Sequence, residues 1–104
     1  MQVYLSNDND IVVTGLSKQS DGSFINDAVL TATIYDASGN ALANGSNLAI
    51  PYVSTSNGNY RGTIPSTGGS AVSLVAGQTY RVHIAASNYG FSTDLWFQPQ
   101  NRLG

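Results

Sequence analysis

Residues 74–86 of the chain, LVAGQTYRVHIAA, decide how it folds. From Tyr80 onward, large apolar residues alternate with polar or small ones, which is the pattern of a strand with one buried face. Just upstream, Leu74, Gly77 and Tyr80 stand three residues apart. Gly77 suits a turn, because glycine adopts left-handed backbone angles at no steric cost. The stretch therefore predicts a turn that leads into a half-buried strand.

Similar alternation elsewhere predicts an all-β chain. Within residues 30–35, Leu30, Ala32 and Ile34 should face the core, while the residues between them face outward. Further strands are expected at residues 2–5, 11–16, 48–52, 60–64 and 91–98, with turns rich in Gly, Asn and Asp between them. Pro51 places the 48–52 strand at a sheet edge, because proline cannot donate to a ladder. About seven strands at this spacing are typical of a β-sandwich.

The composition indicates one soluble-type domain that binds neither nucleic acid nor a structural metal. All 104 residues form one predicted domain, 41% of them hydrophobic, and residues 99–104 are expected to be a C-terminal tail. Cysteine is absent, which excludes disulfides and thiolate metal sites. A net charge of -2 with 10% charged residues argues against a nucleic-acid partner, which requires a basic face. No membrane partner is indicated, because no apolar run is long enough to span a bilayer. No cofactor is expected either.

Catalytic and metal-binding constellations are weak. Asp8 and Asp10 could offer oxygen ligands to calcium, but the central Gly and terminal Glu of a complete calcium loop are missing. Residues 6–10 are therefore interpreted as a solvated turn. His83 is the sole histidine, and no G-x-S-x-G nucleophile elbow accompanies it. We expect no catalytic residues and no enzyme activity.

The last two strands contain the candidate binding residues. If residues 87 and 90 lie opposite each other, His83 pairs with Asp94 and Arg81 with Trp96 on one outer face. Arg81 over Trp96 would be a cation–π contact, and His83 with Asp94 a polar pair. One interpretation is that these pairs only decorate a solvated sheet. The other is a protein interface centred on Trp96, because exposed Trp and Arg are typical binding hot spots.

Three stretches together resemble a known class of module: DAVLTATIYDASGNAL, SNGNYRGTI and LVAGQTYRVHIAA. Their order is similar to that in small immunoglobulin-like modules of tailed-bacteriophage virion proteins, and the Tyr80 spacing resembles the tyrosine corner of immunoglobulin-like sandwiches. The resemblance implies a non-enzymatic structural protein that decorates the head or belongs to the neck or tail. Its partners would be capsid, connector or tail subunits, with a homo-oligomer also open.

The resemblance also implies a location in the virion. The N-terminal MQVYLSNDND lacks the basic and apolar regions of a signal peptide, so synthesis in the host cytoplasm is expected. The alternative is a carbohydrate-binding or adhesin module of a larger secreted protein. Exposed aromatics such as Trp96, Tyr35 and Tyr89 would serve that function.

Overall fold

Two antiparallel sheets form the domain. A computed structural model describes residues 3–4, 8–66, 68–69 and 71–100. The strands are β1 (Asn9–Val13), β2 (Leu30–Tyr35), β3 (Leu48–Ala49), β4 (Tyr60–Ile64), β5 (Tyr80–Ala86) and β6 (Phe91–Phe97). The larger sheet has the order β3-β2-β5-β6, and β1 pairs with β4 in the smaller. The all-β prediction is confirmed, and no helix among the described residues has the length and apolar character to cross a membrane.

Strands β2 and β5 form the middle of the larger sheet. Their residues alternate between buried and half-buried, and each strand buries one face only. The register pairs Ala32 with Ile84 and Ile34 with Val82, all of them buried. Residues of the smaller sheet close the same core; they include Ile11, Tyr60 and Ile64. The sidedness predicted for residues 30–35 and 80–86 is confirmed.

Tyr80 makes the contact that its spacing predicts. Its hydroxyl accepts a hydrogen bond from the backbone N–H of Val75 at 2.9 Å. Gly77, between the two, has a φ of +79°, the left-handed region that favours glycine. The buried Tyr80 ring stacks on Phe97 of β6, with 5.5 Å between ring centroids. This tyrosine therefore fastens the turn before β5 to the strand that follows.

A second buried tyrosine fastens a different connection. Tyr60 is 0% exposed, and its hydroxyl donates to the carbonyl of Ile25 at 2.6 Å. The same oxygen accepts from the N–H of Ala28 at 3.2 Å. The two bonds join β4 to the segment that enters β2. No local sequence pattern around Tyr60 predicts this contact, because its partners lie more than 30 residues away in sequence.

The hairpin between residues 51 and 61 contains Asn57-Gly58, one of the Asn- and Gly-rich turns expected between the strands. Tyr52 bridges Tyr60, and the N–H of Val53 donates to the carbonyl of Asn59 at 2.9 Å. Gly58 has a φ of +69°, and its N–H donates to Oδ1 of Asn26 at 2.8 Å. A Cβ at Gly58 would collide with the backbone of Leu16, so glycine is required there for two reasons.

The strand count and the first turn were predicted wrongly. The described residues contain six strands, not seven. Tyr4 forms an isolated bridge to Gln100, and the strand predicted at residues 2–5 lies partly outside the described residues. Asn9 and Asp10, interpreted as part of a turn, begin β1 and pair with residues 63 and 64 of β4. Pairing with β4 overrides the turn preference of Asn and Asp. Residues 6 and 7 of the predicted turn lie outside the described residues.

The inner face of β6, opposite the candidate residues, is covered unevenly, and Phe91 packs half-buried against the core at one end. Phe97 is buried, whereas Leu95 is 38% exposed and Thr93 is exposed. β6 is the edge strand of the larger sheet, with β5 as its only neighbour among the described strands. Beyond β6, Pro99 is buried and the N–H of Gln100 donates to Val3, so the start of the predicted tail packs on the domain; residues 101–104 lie outside the described part.

Replacing Tyr80 by Phe should lower the free energy of unfolding by about 1 kcal/mol with the fold retained, because one hydroxyl bond is lost. Urea denaturation of the two proteins measures the difference. Tyr35→Phe is the matched control, since the Tyr35 hydroxyl has no hydrogen bond to another described residue, and it should cost little. Equal stability of wild type and Tyr80→Phe would contradict the Val75 contact.

Replacing Tyr60 by Phe should cost more, about 1–3 kcal/mol, because the buried Ile25 carbonyl and Ala28 N–H lose their partner together. Denaturation under the same conditions ranks the two variants. A loss no larger than that of Tyr80→Phe would show that water or a shift of the backbone replaces the lost bonds.

Candidate functional site

The turn between β5 and β6 sets the face on which the candidate residues lie. The ladder pairs Arg81 with Trp96 and His83 with Asp94, as the tighter turn predicts. Arg81 and His83 alternate with the buried Val82 and Ile84 in β5, so they point away from the core. Their ladder partners in β6, Asp94 and Trp96, lie on the same face. We call the surface formed by Tyr35, Arg81, His83, Asp94 and Trp96 the outer face.

Asp94 is the electrostatic centre of the outer face. Its Oδ1 accepts a hydrogen bond from Nδ1 of His83 at 2.7 Å, which requires the hydrogen to be on that ring nitrogen. The same oxygen lies 3.3 Å from Nη1 of Arg81. The His83 bond and the nearby guanidinium lower the pKa of Asp94 below its usual value. The predicted His83–Asp94 pair is therefore present, and Arg81 joins it.

The cation–π partner of Arg81 differs from the expected one. Its guanidinium carbon lies 4.4 Å from the centroid of the Tyr35 ring, whereas Trp96 was expected to take this position. Tyr35 is opposite Arg81 in the β2–β5 ladder, so Arg81 has an aromatic neighbour on each side. The guanidinium of Arg81 thus contacts both Asp94 of β6 and the Tyr35 ring of β2. Sequence reasoning missed Tyr35 here because the pairing of β2 with β5 joins residues far apart in the chain.

Trp96 is the most exposed large apolar side chain that the structure describes. It is 60% exposed and lies in β6, one residue before the end of the strand. Its neighbours Arg81 and Asp94 contact each other, and Trp96 itself is paired with Arg81 in the β5–β6 ladder. This gives the outer face a large apolar group that a partner could cover.

The row across the sheet does not assemble a hydrolytic site. Thr33 lies opposite His83 in β2, so hydroxyl, imidazole and carboxylate follow one another across three strands. The Thr33 hydroxyl instead accepts from the N–H of Asn47 at 3.2 Å, and no hydrogen bond joins it to His83 among the described residues. A base within hydrogen-bond reach of the nucleophile is the first requirement of such a site.

The two carboxylates considered for calcium have protein partners. Oδ1 of Asp8 accepts from the N–H and hydroxyl of Ser66, at 2.8 and 2.9 Å, and these bonds lower its pKa. Asp10 forms an ion pair with Arg61. Within residues 3–4, 8–66, 68–69 and 71–100, no group of three or more His, Cys, Asp or Glu side chains is placed to hold a metal ion.

An open recess of about 340 Å³ lies at the end of the sandwich near the β5–β6 turn. Its described lining is mainly apolar, with Lys18 at the rim; it comprises Leu16, Ser17, Lys18, Gln19, Ile25, Tyr89 and Phe91. Tyr89 is fixed by a hydrogen bond to the carboxylate of Asp27. The described lining includes Ser17, Lys18 and Tyr89 but no carboxylate or imidazole.

Asp94 should give the protein a measurable dependence on acid. Because its pKa is lowered in the folded state, its contribution to stability is present above the unfolded value near 3.8 and is lost as pH falls through the lower folded value. Asp94→Asn should therefore be less stable than wild type at pH 5, and the gap should shrink on acidification. Thermal melts of both proteins at decreasing pH measure it. A gap independent of pH would show that the carboxylate charge does not stabilise the fold.

Comparisons with models of known protein families, with curated proteins and with solved structures find no match for this chain. What it does must therefore be argued from its own surfaces.

Proposed function

We propose that this chain is a non-enzymatic structural module that acts by protein–protein contact through its outer face, as a component of a bacteriophage virion. The observation that carries the binding function is Trp96, which is 60% exposed on an ordered strand beside Arg81. Trp and Arg are the residues most often found at binding hot spots. The partners would be capsid, connector or tail subunits.

The order of the strands supports an immunoglobulin-like sandwich. In that fold, strands C, F and G share a sheet, C′ can extend it beside C, and B and E belong to the opposite sheet. Assigning β1 to B, β2 to C, β3 to C′, β4 to E, β5 to F and β6 to G reproduces the observed neighbours. Tyr80 then stands at the start of strand F, where a tyrosine corner is found in such domains.

The electrostatics of the outer face favour a protein partner. Arg81 and Asp94 largely neutralise each other, so the face has little fixed charge to lose hydration when a partner covers it. Their contact also orders two side chains before binding, which reduces the conformational entropy lost on association. A Trp that leaves water on binding can remove about 150–250 Å² of surface. These properties suit permanent contact with a neighbouring subunit.

The carbohydrate-binding alternative has less support. It would use exposed aromatic rings as a platform for sugars, with Trp96, Tyr35 and Tyr89 as candidates. The guanidinium of Arg81 covers the Tyr35 ring, and Tyr89 lies in the turn at the opposite end of β6 from Trp96. The three rings therefore do not form a continuous platform.

The virion assignment rests on the resemblance of the sequence signals and on the charge-poor surface. Residues 1–104 contain 10% charged residues, well below the roughly 25% common in globular proteins. A surface dominated by Asn, Ser, Thr and Gly suits a protein whose neighbours are fixed in an assembly. Synthesis in the host cytoplasm and assembly into particles are part of the same proposal.

Replacing Trp96 by Ala should leave the melting temperature of the isolated domain nearly unchanged and weaken incorporation into particles assembled without the wild-type chain. An exposed strand residue contributes little to the core, whereas truncating a hot spot costs about 2 kcal/mol or more of binding. Incorporation is measured by the amount of chain that sediments with purified particles. Phe24→Ala is the matched control, because Phe24 is also an exposed aromatic but lies outside the outer face.

Two results would contradict the proposed interface. Unchanged incorporation of Trp96→Ala would remove the outer face from assembly, and a loss of about 3–5 kcal/mol in stability would mean that Trp96 belongs to the core. Binding of wild type, but not Trp96→Ala, to glycans in place of particles would favour the carbohydrate-binding alternative.

A further inference from the structure

The two edges of the larger sheet differ in how they are protected. At one edge, β3 has two residues, and the chain then passes through Pro51, whose carbonyl accepts from Arg61 of β4. A short strand followed by proline is a common means of preventing unwanted pairing. At the other edge, β6 pairs with β5 over seven consecutive residues, with no bulge and with no Pro, Lys or Arg in FSTDLWF.

The single charge of β6 does not protect its edge. Asp94 is bound by His83 and Arg81 of β5, so its carboxylate is drawn toward the middle of the sheet. In the described part of the chain, Val3 and Tyr4 pair with Gln100, which lies beyond the end of β6. The backbone groups of residues 91–96 that point away from β5 therefore have no strand beside them among the described residues.

Apolar surface is exposed on both sides of this edge. Leu95 faces inward and is 38% exposed, whereas Val82, its partner in β5, is 0% exposed. The core therefore leaves the inner side of β6 open at Thr93 and Leu95, between the half-buried Phe91 and the buried Phe97. On the opposite side Trp96 is exposed. An open strand edge with apolar groups on both faces is the kind of surface that pairs with another strand.

We propose that β6 pairs, antiparallel and edge to edge, with β6 of a second copy of this chain. An identical strand is a fitting partner because the edge has almost no net charge and so does not favour a charged one. The resulting interface is isologous, as in most homodimers. It joins the two larger sheets into one continuous sheet of eight strands, twice the four of a single copy.

The side chains favour one register, with the two-fold axis at Thr93. This register places Thr93 opposite Thr93 of the other copy, Ser92 opposite Asp94, and Phe91 opposite Leu95. Thr–Thr and apolar cross-strand pairs are stabilising, and a serine hydroxyl can donate to the Asp94 carboxylate. A two-fold at Asp94 would bring like charges together. One at Leu95 would extend pairing to Gln98, close to where Val3 and Tyr4 approach the chain.

This inference does not depend on the proposed function, because it concerns the edge of β6 and is tested on the isolated chain. Sedimentation equilibrium across micromolar concentrations should give a mass twice the 10.9 kDa of one chain. Leu95→Lys should raise the dimer dissociation constant at least about tenfold, because the lysine would be desolvated against Phe91 of the other copy. Val12→Lys, a matched change at an exposed strand position of the smaller sheet, should dimerise like wild type.

Disulfide trapping tests the register independently of Leu95. The chain has no cysteine, so Thr93→Cys introduces one thiol, which should cross-link to its copy across the two-fold under mild oxidation. Thr63→Cys, at an exposed position of β4, is the control and should cross-link much more slowly. A wild-type chain that stays monomeric overturns the proposal. So does a Leu95→Lys chain that dimerises like wild type, or equal cross-linking at both positions.

Discussion

The sidedness of β2 and β5 is the constraint on which the rest of the structure depends. A strand has a period of two, so shifting either one by a single residue would turn its core residues to solvent. With the observed register, Ala32, Ile34, Val82 and Ile84 close the core from the larger sheet. The same register turns Arg81 and His83 outward and brings Tyr35 beside Arg81. The core and the outer face are therefore two consequences of one pairing.

Asparagine side-chain amides fix several loops of this domain by hydrogen bonds to the backbone, as ion pairs do on more charged surfaces. Asn59 accepts from Gly15, and Asn26 accepts from Gly58, each through a backbone N–H. Asn88 accepts from Val29 and donates to the carbonyl of Asp27, which ties the β5–β6 turn to the entry of β2. These neutral groups hold loops in place without charge. A surface poor in charge can then still have well-defined connections.

Local patterns in the sequence were enough for β2, β4, β5 and β6, for the Tyr80 contact and for the β5–β6 register, because each depends on residues close together in the chain. The contacts of Tyr60 with residues 25 and 28 could not be predicted, since its spacing has no signature. The same is true of Tyr35 as the partner of Arg81. Asn9 and Asp10 show the opposite error, in which a strong local turn preference yields to pairing with β4. The exposure of Leu95 depends on what packs over the edge strand, which the alternation within β6 does not reveal.

The hydrogen bond from Gly58 to Asn26 has a consequence for the chemical lifetime of the protein. An asparagine followed by glycine is the pair most open to spontaneous deamidation, which begins when the glycine amide nitrogen attacks the asparagine side-chain carbonyl. In the Asn57-Gly58 pair that nitrogen donates to Asn26, and the collision of any Cβ with Leu16 shows how closely the backbone is held. The hairpin must open before the cyclic intermediate can form. The bond that shapes this turn thus also slows the deamidation of Asn57.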